Sequence, residues 1–339
     1  MNILFVTYPW DRIEASTDTT LRLIYECALR KHRVGILVAS NLTIRDCVTS
    51  GFCKMLVLPQ KISSNLVRFH QKMEFKEQLL PLSGFDAIFI RSNPPIDITM
   101  LNFLDSVRDD TFIINDVDGL RKANNKLYTA TFDDSIIPVT HVSKNKAYLR
   151  RVLAESQDEK MILKPFNGYG GSGVIVLEKS AQSSVNSLLD FYIDGKNEEN
   201  YVILQEYLHG ASEGDVRILM LNGEPIGAMK RVPAQDDVRS NIHAGGEAKK
   251  HVLTKKELAL CKKIGPRLVA DGLYFVGIDV IDDKVLEVNV LSPGGIARIN
   301  KLNRVKLEKK VIDFVEEVVT ARNRIHLRKS EFKKSVENA

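Results

Sequence analysis

The sequence predicts an α/β protein: an open, largely parallel sheet covered by helices in its first third, then a second body of different texture. Three observations support this. Short apolar runs alternate with amphipathic helical stretches as far as Asn115, the rhythm of parallel strands with crossover helices. After Leu120 the strands instead come in pairs, joined by glycine-rich or Asn-Gly turns. The length of 339 residues suits two or three compact units, at roughly 100–200 residues per domain.

Ile3–Tyr8 reads as the first strand, Thr19–Lys31 as an amphipathic helix and Val34–Ala39 as the second strand. A strand at Ala87–Arg91, a helix near Ile98–Val107 and a strand at Phe112–Asn115 complete this part. The first turn, Pro9-Trp10-Asp11, lacks a glycine fingerprint, which argues against a dinucleotide in that crevice. Beyond Leu120, a helix near Asn124–Phe132 leads to a strand at Pro138–Val142, and Ser143 is placed to cap a helix over Lys144–Glu155. Strands follow at Met161–Pro165, Val174–Leu177 and Val202–Gln205, with a helix near Ser183–Phe191. Val216–Leu221 and Pro225–Val232 flank Asn222-Gly223, a tight-hairpin signal. A helix over Lys255–Asp271 precedes a long hairpin at Tyr274–Val290, and the last helix covers Val305–Ala321.

Composition excludes several classes of function. A charged fraction of 27% and a hydrophobic fraction of 44% are those of a globular chain, not a disordered or fibrous one. No apolar run approaches the about 18 residues of a transmembrane helix, so a membrane is not an expected partner. The start, Met1 to Tyr8, has no basic n-region and reads as a strand, not a signal peptide. Cys27, Cys47, Cys53 and Cys261 show no C-x-x-C spacing, so zinc and disulfides are not indicated and a reduced, cytoplasmic setting is expected. Of the net charge of +5, the segment from Arg322 to Ala339 carries +4 (six basic, two acidic residues) and is expected to be a solvated, frayed end. The body is nearly neutral, without the basic stripe that nucleic acid requires.

Gly168, Gly170 and Gly173 match G-x-G-x-x-G, but that fingerprint must open a helix, and here Val174-Ile175-Val176-Leu177 continues as a strand. Strand–glycine loop–strand is the arrangement of a flap over nucleotide phosphates, where backbone N–H groups approach closely in the absence of Cβ atoms. Lys164, between Met161-Ile162-Leu163 and Pro165-Phe166, needs an anion to offset burial of its charge.

The segment Phe275 to Val290 is the most informative. A three-residue loop, Asp282–Lys284, pairs Ile281 with Val285, Val280 with Leu286 and Asp279 with Glu287. One face then carries Val276, Ile278, Val280, Leu286, Val288 and Val290, and the other Gly277, Asp279, Glu287 and Asn289. Two carboxylates and an amide oxygen converge, a donor set for Mg²⁺ with substrate phosphates. Ser292-Pro293-Gly294-Gly295 follows as a sharp turn whose N–H groups could hold an oxyanion. With a two-residue Asn222-Gly223 turn, Arg217 pairs with Ala228 and shares a face with Lys230; bringing it beside Arg231 requires a bulge. His243 reads as a surface residue.

Together these segments resemble the ATP-grasp enzymes, and specifically the bacterial glutathione synthetase family, as far as about Val319. The shared residues are Arg91-Ser92-Asn93-Pro94-Pro95-Ile96-Asp97, Leu120-Arg121 with Asn125-Lys126-Leu127, and Lys164-Pro165 with its glycine loop. They continue with Arg239-Ser240-Asn241, Ala244-Gly245-Gly246, Ile264-Gly265-Pro266, Val276-Gly277-Ile278-Asp279, Glu287-Val288-Asn289-Val290 and Ser292-Pro293.

The resemblance implies a Rossmann-like pre-ATP-grasp domain over residues 1–121 and a two-lobed ATP-grasp domain over 122–320. The small lobe would cover about 136–205, the large lobe about 206–320, and the tail 321–339. It implies an ATP-dependent ligase, with Mg²⁺ (or Mn²⁺) as cofactor and an acyl phosphate as intermediate, joining γ-glutamylcysteine to glycine. A related acid and amine, or a nucleotide-binding module without catalysis, are the alternatives, and a homo-oligomer is compatible with either. For ATP it implies Lys126, Lys164, the loop Gly168, Gly170, Gly171, Ser172 and Gly173, the hinge Gln205, Glu206, Tyr207 and Leu208, and Asp215 at the ribose. Asp279, Glu287 and Asn289 would hold the metal, and Arg217, Arg231 and Asn241 would serve catalysis. Arg91, Arg239, Ser292, Gly294 and Gly295 would contact substrate. The family commonly has Thr where Gly294 stands, and Lys230-Arg231 with Arg239-Ser240-Asn241 also resembles ligases that extend peptide or protein termini.

Overall fold

The computed structural model describes residues 1–166, 173–180, 182–194, 200–233 and 245–337. In chain order the elements are β1 (Asn2–Val6), α1 (Thr19–Leu29), β2 (Arg33–Leu37), β3 (Leu42–Arg45), β4 (Val48–Val57), α2 (Leu66–Lys72), β5 (Glu74–Pro81) and β6 (Ala87–Ile90). Next come α3 (Ile98–Asp105), β7 (Phe112–Ile114), α4 (Val117–Ala123), α5 (Lys126–Ala130), β8 (Thr140–Ser143), α6 (Lys146–Glu155), β9 (Lys160–Pro165) and β10 (Ile175–Glu178). Then follow α7 (Gln182–Ile193), β11 (Val202–Glu206), β12 (Asp215–Leu221), β13 (Glu224–Val232), β14 (Glu247–Lys250) and α8 (Lys255–Ala270). The chain ends with β15 (Phe275–Ile281), β16 (Lys284–Asn289), α9 (Ile296–Asn303) and α10 (Leu307–Glu337).

The chain forms two compact units: Met1–Gly119 with Ala270–Phe275 and Leu291–Ala339, and Leu120–Val269 with Val276–Val290. In the first, the strand order is β3-β4-β2-β1-β6-β7, with β5 on β4. The centre β2-β1-β6-β7 is parallel, as the apolar runs predict, and Phe5 stacks on Phe89 with ring centroids 4.7 Å apart. Beyond β2 the sheet is antiparallel, an extension missing from the sequence reading. Its edge strand β5, Glu-Phe-Lys-Glu-Gln-Leu-Leu-Pro, is mostly exposed and shows no clean apolar alternation, so it gave no period to read.

Helix α10 buries Leu307, Val311, Ile312, Val315 and Val319, one apolar stripe, and reaches α1 through Arg30, which meets Asp313 at 2.6 Å and Glu316 at 2.8 Å. It then continues to Glu337, well past the expected end at Ala321, with every residue from Asn323 exposed.

In the second unit, β10-β9-β11-β8 is antiparallel throughout. Its core of Leu149, Leu153, Leu163, Leu177, Leu189 and Val202 joins α6 and α7 to the sheet. The cap of α6 is Asn145, whose Oδ1 accepts from the Tyr148 N–H at 3.0 Å; Ser143 sits two residues early, its Oγ accepting from the Asn145 N–H at 2.9 Å. The other sheet runs β14-β13-β12-β15-β16. Helix α8 lies close enough to the Asn222-Gly223 turn that a Cβ on Gly265 would come within 2.3 Å of the Gly223 carbonyl oxygen.

Ile312→Ala removes a fully buried side chain of α10 and should cost about 2–5 kcal/mol in urea unfolding. Truncation after Asn323 removes, among the described residues, only exposed ones and should shift that value by less than about 0.5 kcal/mol.

Candidate active site

A cleft in the second unit is lined by Lys126, Thr129, Ala130, Ile137, Thr140, Lys164, Ile203, Gln205 and Leu286. Lys126 opens α5, whose N-cap Asn125 accepts from the Tyr128 N–H at 3.2 Å, and its Nζ donates to the Pro165 carbonyl at 3.0 Å. Lys164 lies opposite Ile203 in the β9–β11 pairing and donates to Gln205 Oε1 at 2.8 Å. Gln205 Nε2 in turn donates to Thr140 Oγ1 at 2.7 Å. Two ammonium groups thus sit beside an apolar floor of Ala130, Ile137, Ile203 and Leu286. The space they enclose is that of about one water molecule, so a larger ligand enters only as the cleft opens.

The two hairpins beside this cleft correct the expected registers. Asp279 opposes Glu287, Ile278 opposes Val288 and Gly277 opposes Asn289, as the apolar pattern requires. Towards the turn, however, Val280 pairs with Val285 and Ile281 with Lys284. The loop is therefore the two residues Asp282-Asp283, both left-handed at φ of 48° and 60°, as a hairpin turn matched to strand twist demands. A bulge at Leu286 restores the parity, so Leu286 lines the cleft and is not part of the valine face. Asp282 is a loop residue, as read, and accepts from the Gly210 N–H at 2.8 Å.

The Asn222-Gly223 hairpin behaves alike. Its two-residue turn is followed by a register shift between Leu219 and Met220, which leaves Ile226 unpaired. Arg217 consequently pairs with Met229, not Ala228, and Asp215 pairs with Arg231. This bulge puts Arg217 and Arg231 on one face.

There they form a buried cluster with Asp215 and Asp279. Arg231 grips Asp215 through Nε at 2.7 Å and through Nη2, and Arg231 Nη2 also reaches Asp279 Oδ1 at 2.9 Å. Arg217 holds Asp279 through Nε and through Nη2 at 2.9 Å. Asp215, expected at the ribose, has both oxygens engaged by Arg231. Gly214 permits this approach: its φ is 98°, and a Cβ would lie 1.9 Å from the Arg231 carbonyl oxygen.

Burial would push the Asp279 carboxyl up, but the two guanidiniums outweigh it and hold the group down at about 2. Glu287 goes the other way. Burial and the Asp279 charge raise it, and Lys126, Arg217 and Lys164 offset this only in part. Burial, then the charge of Lys126, lowers Lys164 to about 8, and burial also lowers Lys126. Asp215, Asp279 and Glu287 face Arg217, Arg231, Lys126 and Lys164, a balance of +1 that favours an anionic occupant.

Among the described residues no group of three His, Cys, Asp or Glu side chains forms a metal site. The set here is two carboxylates and one amide. Asn289 Nδ2 donates to the Gly277 carbonyl and to Asp279 Oδ2, both at 3.2 Å. Glu287 carries a disfavoured charge without an ion-pair partner among the described residues, so its carboxylate fits a hard divalent cation, whereas both oxygens of Asp279 are engaged by Arg217, Arg231 and Asn289 and would have to exchange a guanidinium for the metal.

Of the other expected residues, Glu206 Oε2 accepts from the Val139 N–H at 3.0 Å, and Tyr207 and the buried Leu208 follow β11 directly. Gly173 has φ of 71° and accepts from the Tyr192 hydroxyl at 3.0 Å. Gly168, Gly170, Gly171, Ser172, Arg239, Asn241 and His243 lie outside the described residues. Arg91, Ser292, Gly294 and Gly295 belong to the first unit, where Arg91 Nη2 donates to the Pro293 carbonyl at 3.0 Å. Gly295, at φ of 119°, precedes α9 without a side-chain cap. A Cβ on Gly294 would meet nothing within 4 Å.

Thr129, Ala130, Ile137, Thr140, Ile203 and Leu286 escaped the sequence reading. Only Leu286 had a signal, the need for a bulge once Asp282-Asp283 is taken as a two-residue turn.

The fold and the cleft define an ATP-grasp architecture. The crystal structure of D-cycloserine synthetase DcsG matches with a TM-score of 0.61 at 17% identity, over 94% of this chain and 99% of that one. Macrocyclase MdnC bound with precursor peptide MdnA, from Microcystis aeruginosa MRC, also gives 0.61, at 13% identity over 94% and 100%. Models of the prokaryotic glutathione synthetase N-terminal domain and ATP-grasp domain match residues 1–121 and 125–304. Glutathione synthetase of Gloeobacter violaceus is 35% identical over 94% of this chain and 97% of its own length; that of Agrobacterium fabrum is 34% identical over 90% and 92%. The chain belongs to the prokaryotic glutathione synthetase family.

Asp279→Ala takes from the buried Arg217 the carboxylate it is bonded to, while Arg231 keeps Asp215, and should cost about 3–5 kcal/mol of stability in denaturant titration. Glu287→Gln removes a carboxylate that repels its neighbour, so its unfolding midpoint should stay level or rise.

Proposed function

We propose that this chain is a glutathione synthase: an ATP-dependent ligase that joins γ-glutamylcysteine to glycine through an acyl phosphate. The reading rests above all on the facing carboxylates Asp279 and Glu287, flanked by two arginines and two lysines, in a chain of this family.

Lys126 and Lys164 carry the nucleotide phosphates, and Leu286 with Ile137 and Ile203 forms the apolar seat of the adenine. Backbone groups of Gln205–Leu208 serve as its hinge. Asp279, Glu287 and Asn289 would hold Mg²⁺, whose contribution is to neutralise phosphate charge during transfer. The substrate carboxylate attacks the γ-phosphorus and displaces ADP; the glycine amine then attacks the carbonyl of the acyl phosphate, loses a proton and expels inorganic phosphate as the amide forms. Arg217 and Arg231, kept in place by Asp279 and Asp215, offer positive charge to the phosphoryl group and the tetrahedral oxyanion. Asn241, Arg239 and the turn Ser292, Gly294 and Gly295 complete the substrate contacts, and the loop from Gly168 to Gly173 excludes water from the acyl phosphate. The compartment we assign is the cytoplasm.

One observation favours a second reading, a ligase for a different acid or amine: the open space at Gly294, where the family commonly has Thr. ADP release that requires both γ-glutamylcysteine and glycine supports glutathione synthesis; release with other pairs only would establish the second reading.

Glu287→Ala should abolish turnover with an unchanged circular dichroism spectrum, and Arg231→Met should lower kcat by about 10²–10³. Because Lys164 must be charged to hold phosphate and titrates at about 8, kcat/KM for ATP should fall as pH rises through that value, while kcat at saturating ATP stays flatter.

A further inference from the structure

In the second unit the chain enters the sheet β10-β9-β11-β8 along residues 131–139 and leaves it, towards β12, along residues 207–214. The two segments are joined where they meet the sheet. The Glu206 N–H donates to the Val139 carbonyl at 2.9 Å, and Glu206 Oε2 accepts from the Val139 N–H at 3.0 Å. Both segments are also held by the tip of the β15–β16 hairpin. On the entering side, the Val285 N–H donates to the Ile136 carbonyl at 2.7 Å, and Lys284 Nζ to the carbonyls of Asp134 at 3.0 Å and Ser135 at 3.3 Å. On the leaving side, Asp282 Oδ2 accepts from the N–H of Gly210, in the 3₁₀ turn His209–Glu213, at 2.8 Å.

Asp282 and Gly210 are a fitted pair. The backbone at Gly210 is not left-handed, so conformation does not call for glycine there. Space does: a Cβ would lie 2.1 Å from Asp282 Oδ1 and 2.8 Å from its Cγ. Position 282, at φ of 48°, would be occupied by glycine without strain. What a carboxylate adds is the acceptor for Gly210. The other acid of the turn, Asp283, goes elsewhere and meets Lys256 Nζ at 3.1 Å.

The pair links the two halves of the nucleotide site. Gly210 stands two residues beyond the hinge Gln205–Leu208, and Asp282 three beyond Asp279. One ATP must reach both, its base at the hinge and its phosphates at the hairpin. A cleft that opens to admit it keeps the two in register only if something ties them.

We propose that Asp282 is a positioning residue for ATP. By holding Gly210, it keeps the adenine hinge at a set distance from Asp279 and Glu287, while Lys284 and Val285 hold the entering segment. The assignment deepens the nucleotide-site reading above and rests on it. The sequence gave Asp282 only as a loop residue, since nothing in its spacing places Gly210 against it.

The test is isothermal titration of the full chain with a non-hydrolysable ATP analogue and Mg²⁺, on four variants. Asp282→Gly keeps the turn and removes the acceptor; its Kd should rise about threefold to tenfold, the weight of one hydrogen bond. Asp282→Asn retains an oxygen acceptor and tolerates the left-handed backbone, so its Kd should stay within about twofold of wild type. Gly210→Ala drives a Cβ into the carboxylate and should weaken binding at least as much as Asp282→Gly. Combining Gly210→Ala with Asp282→Gly should weaken it no further, because both break the same contact. In turnover, Asp282→Gly should raise the KM for ATP by the factor seen in Kd and leave that for γ-glutamylcysteine within about twofold. Equal Kd for the wild type and Asp282→Gly, or additive losses in the double variant, overturn the positioning role alone. Absence of nucleotide binding by the wild type overturns the nucleotide-site reading, and this assignment with it.

Discussion

Two carboxylates opposed across a β-hairpin are the constraint from which the site follows. Cross-strand Cβ atoms lie about 5 Å apart, and at an effective dielectric near 20 two negative charges at that distance repel by about 3 kcal/mol. Asp279 and Glu287 stand in this relation on β15 and β16. The protein resolves half of the conflict itself, by turning Arg217 and Arg231 onto Asp279. Glu287 remains the unresolved half, its charge disfavoured by burial and by Asp279. A cation arriving with a nucleotide would relieve it.

Both arginines reach Asp279 because β12 and β13 carry a bulge that sets Asp215 and Arg231 directly opposite each other. Glycine at position 214 lets the backbone close on Arg231, and Asp215 then orients the guanidinium with two bonds. A cluster this buried gains little net stability, since desolvation cancels much of the attraction. What it provides is geometry: charged groups held in fixed positions before any ligand binds.

The sequence made the fold class and the core of the site legible wherever apolar periodicity was strict. Alternating valines put Asp279, Glu287 and Asn289 on one face, and the structure keeps that register. The route to it was misjudged, because a bulge changes side-chain parity exactly as a change of loop length does, and no apolar count separates the two. Leu286 was therefore assigned to the wrong face, while the shared face of Arg217 and Arg231 hung on a bulge that parity alone could not supply. The antiparallel strands β3, β4 and β5 were missed because they invert or lack the apolar period: Ile44, Val48, Phe52 and Val57 are exposed while Thr49 and Ser50 are buried, and β5 is mostly exposed. Thr129, Thr140 and Ile203 could not be read as cleft residues, since their meeting depends on how β8, β9 and β11 curl towards α5 rather than on any local spacing.

The central claim is that Asp279, Glu287 and Asn289 form a cation site completed by nucleotide. Electron paramagnetic resonance of Mn²⁺ added to the protein with a non-hydrolysable ATP analogue tests it directly. The account predicts tight, nucleotide-dependent Mn²⁺ binding that Glu287→Gln weakens by at least about tenfold while the variant stays folded. Equal Mn²⁺ binding by the wild type and the variant would contradict it.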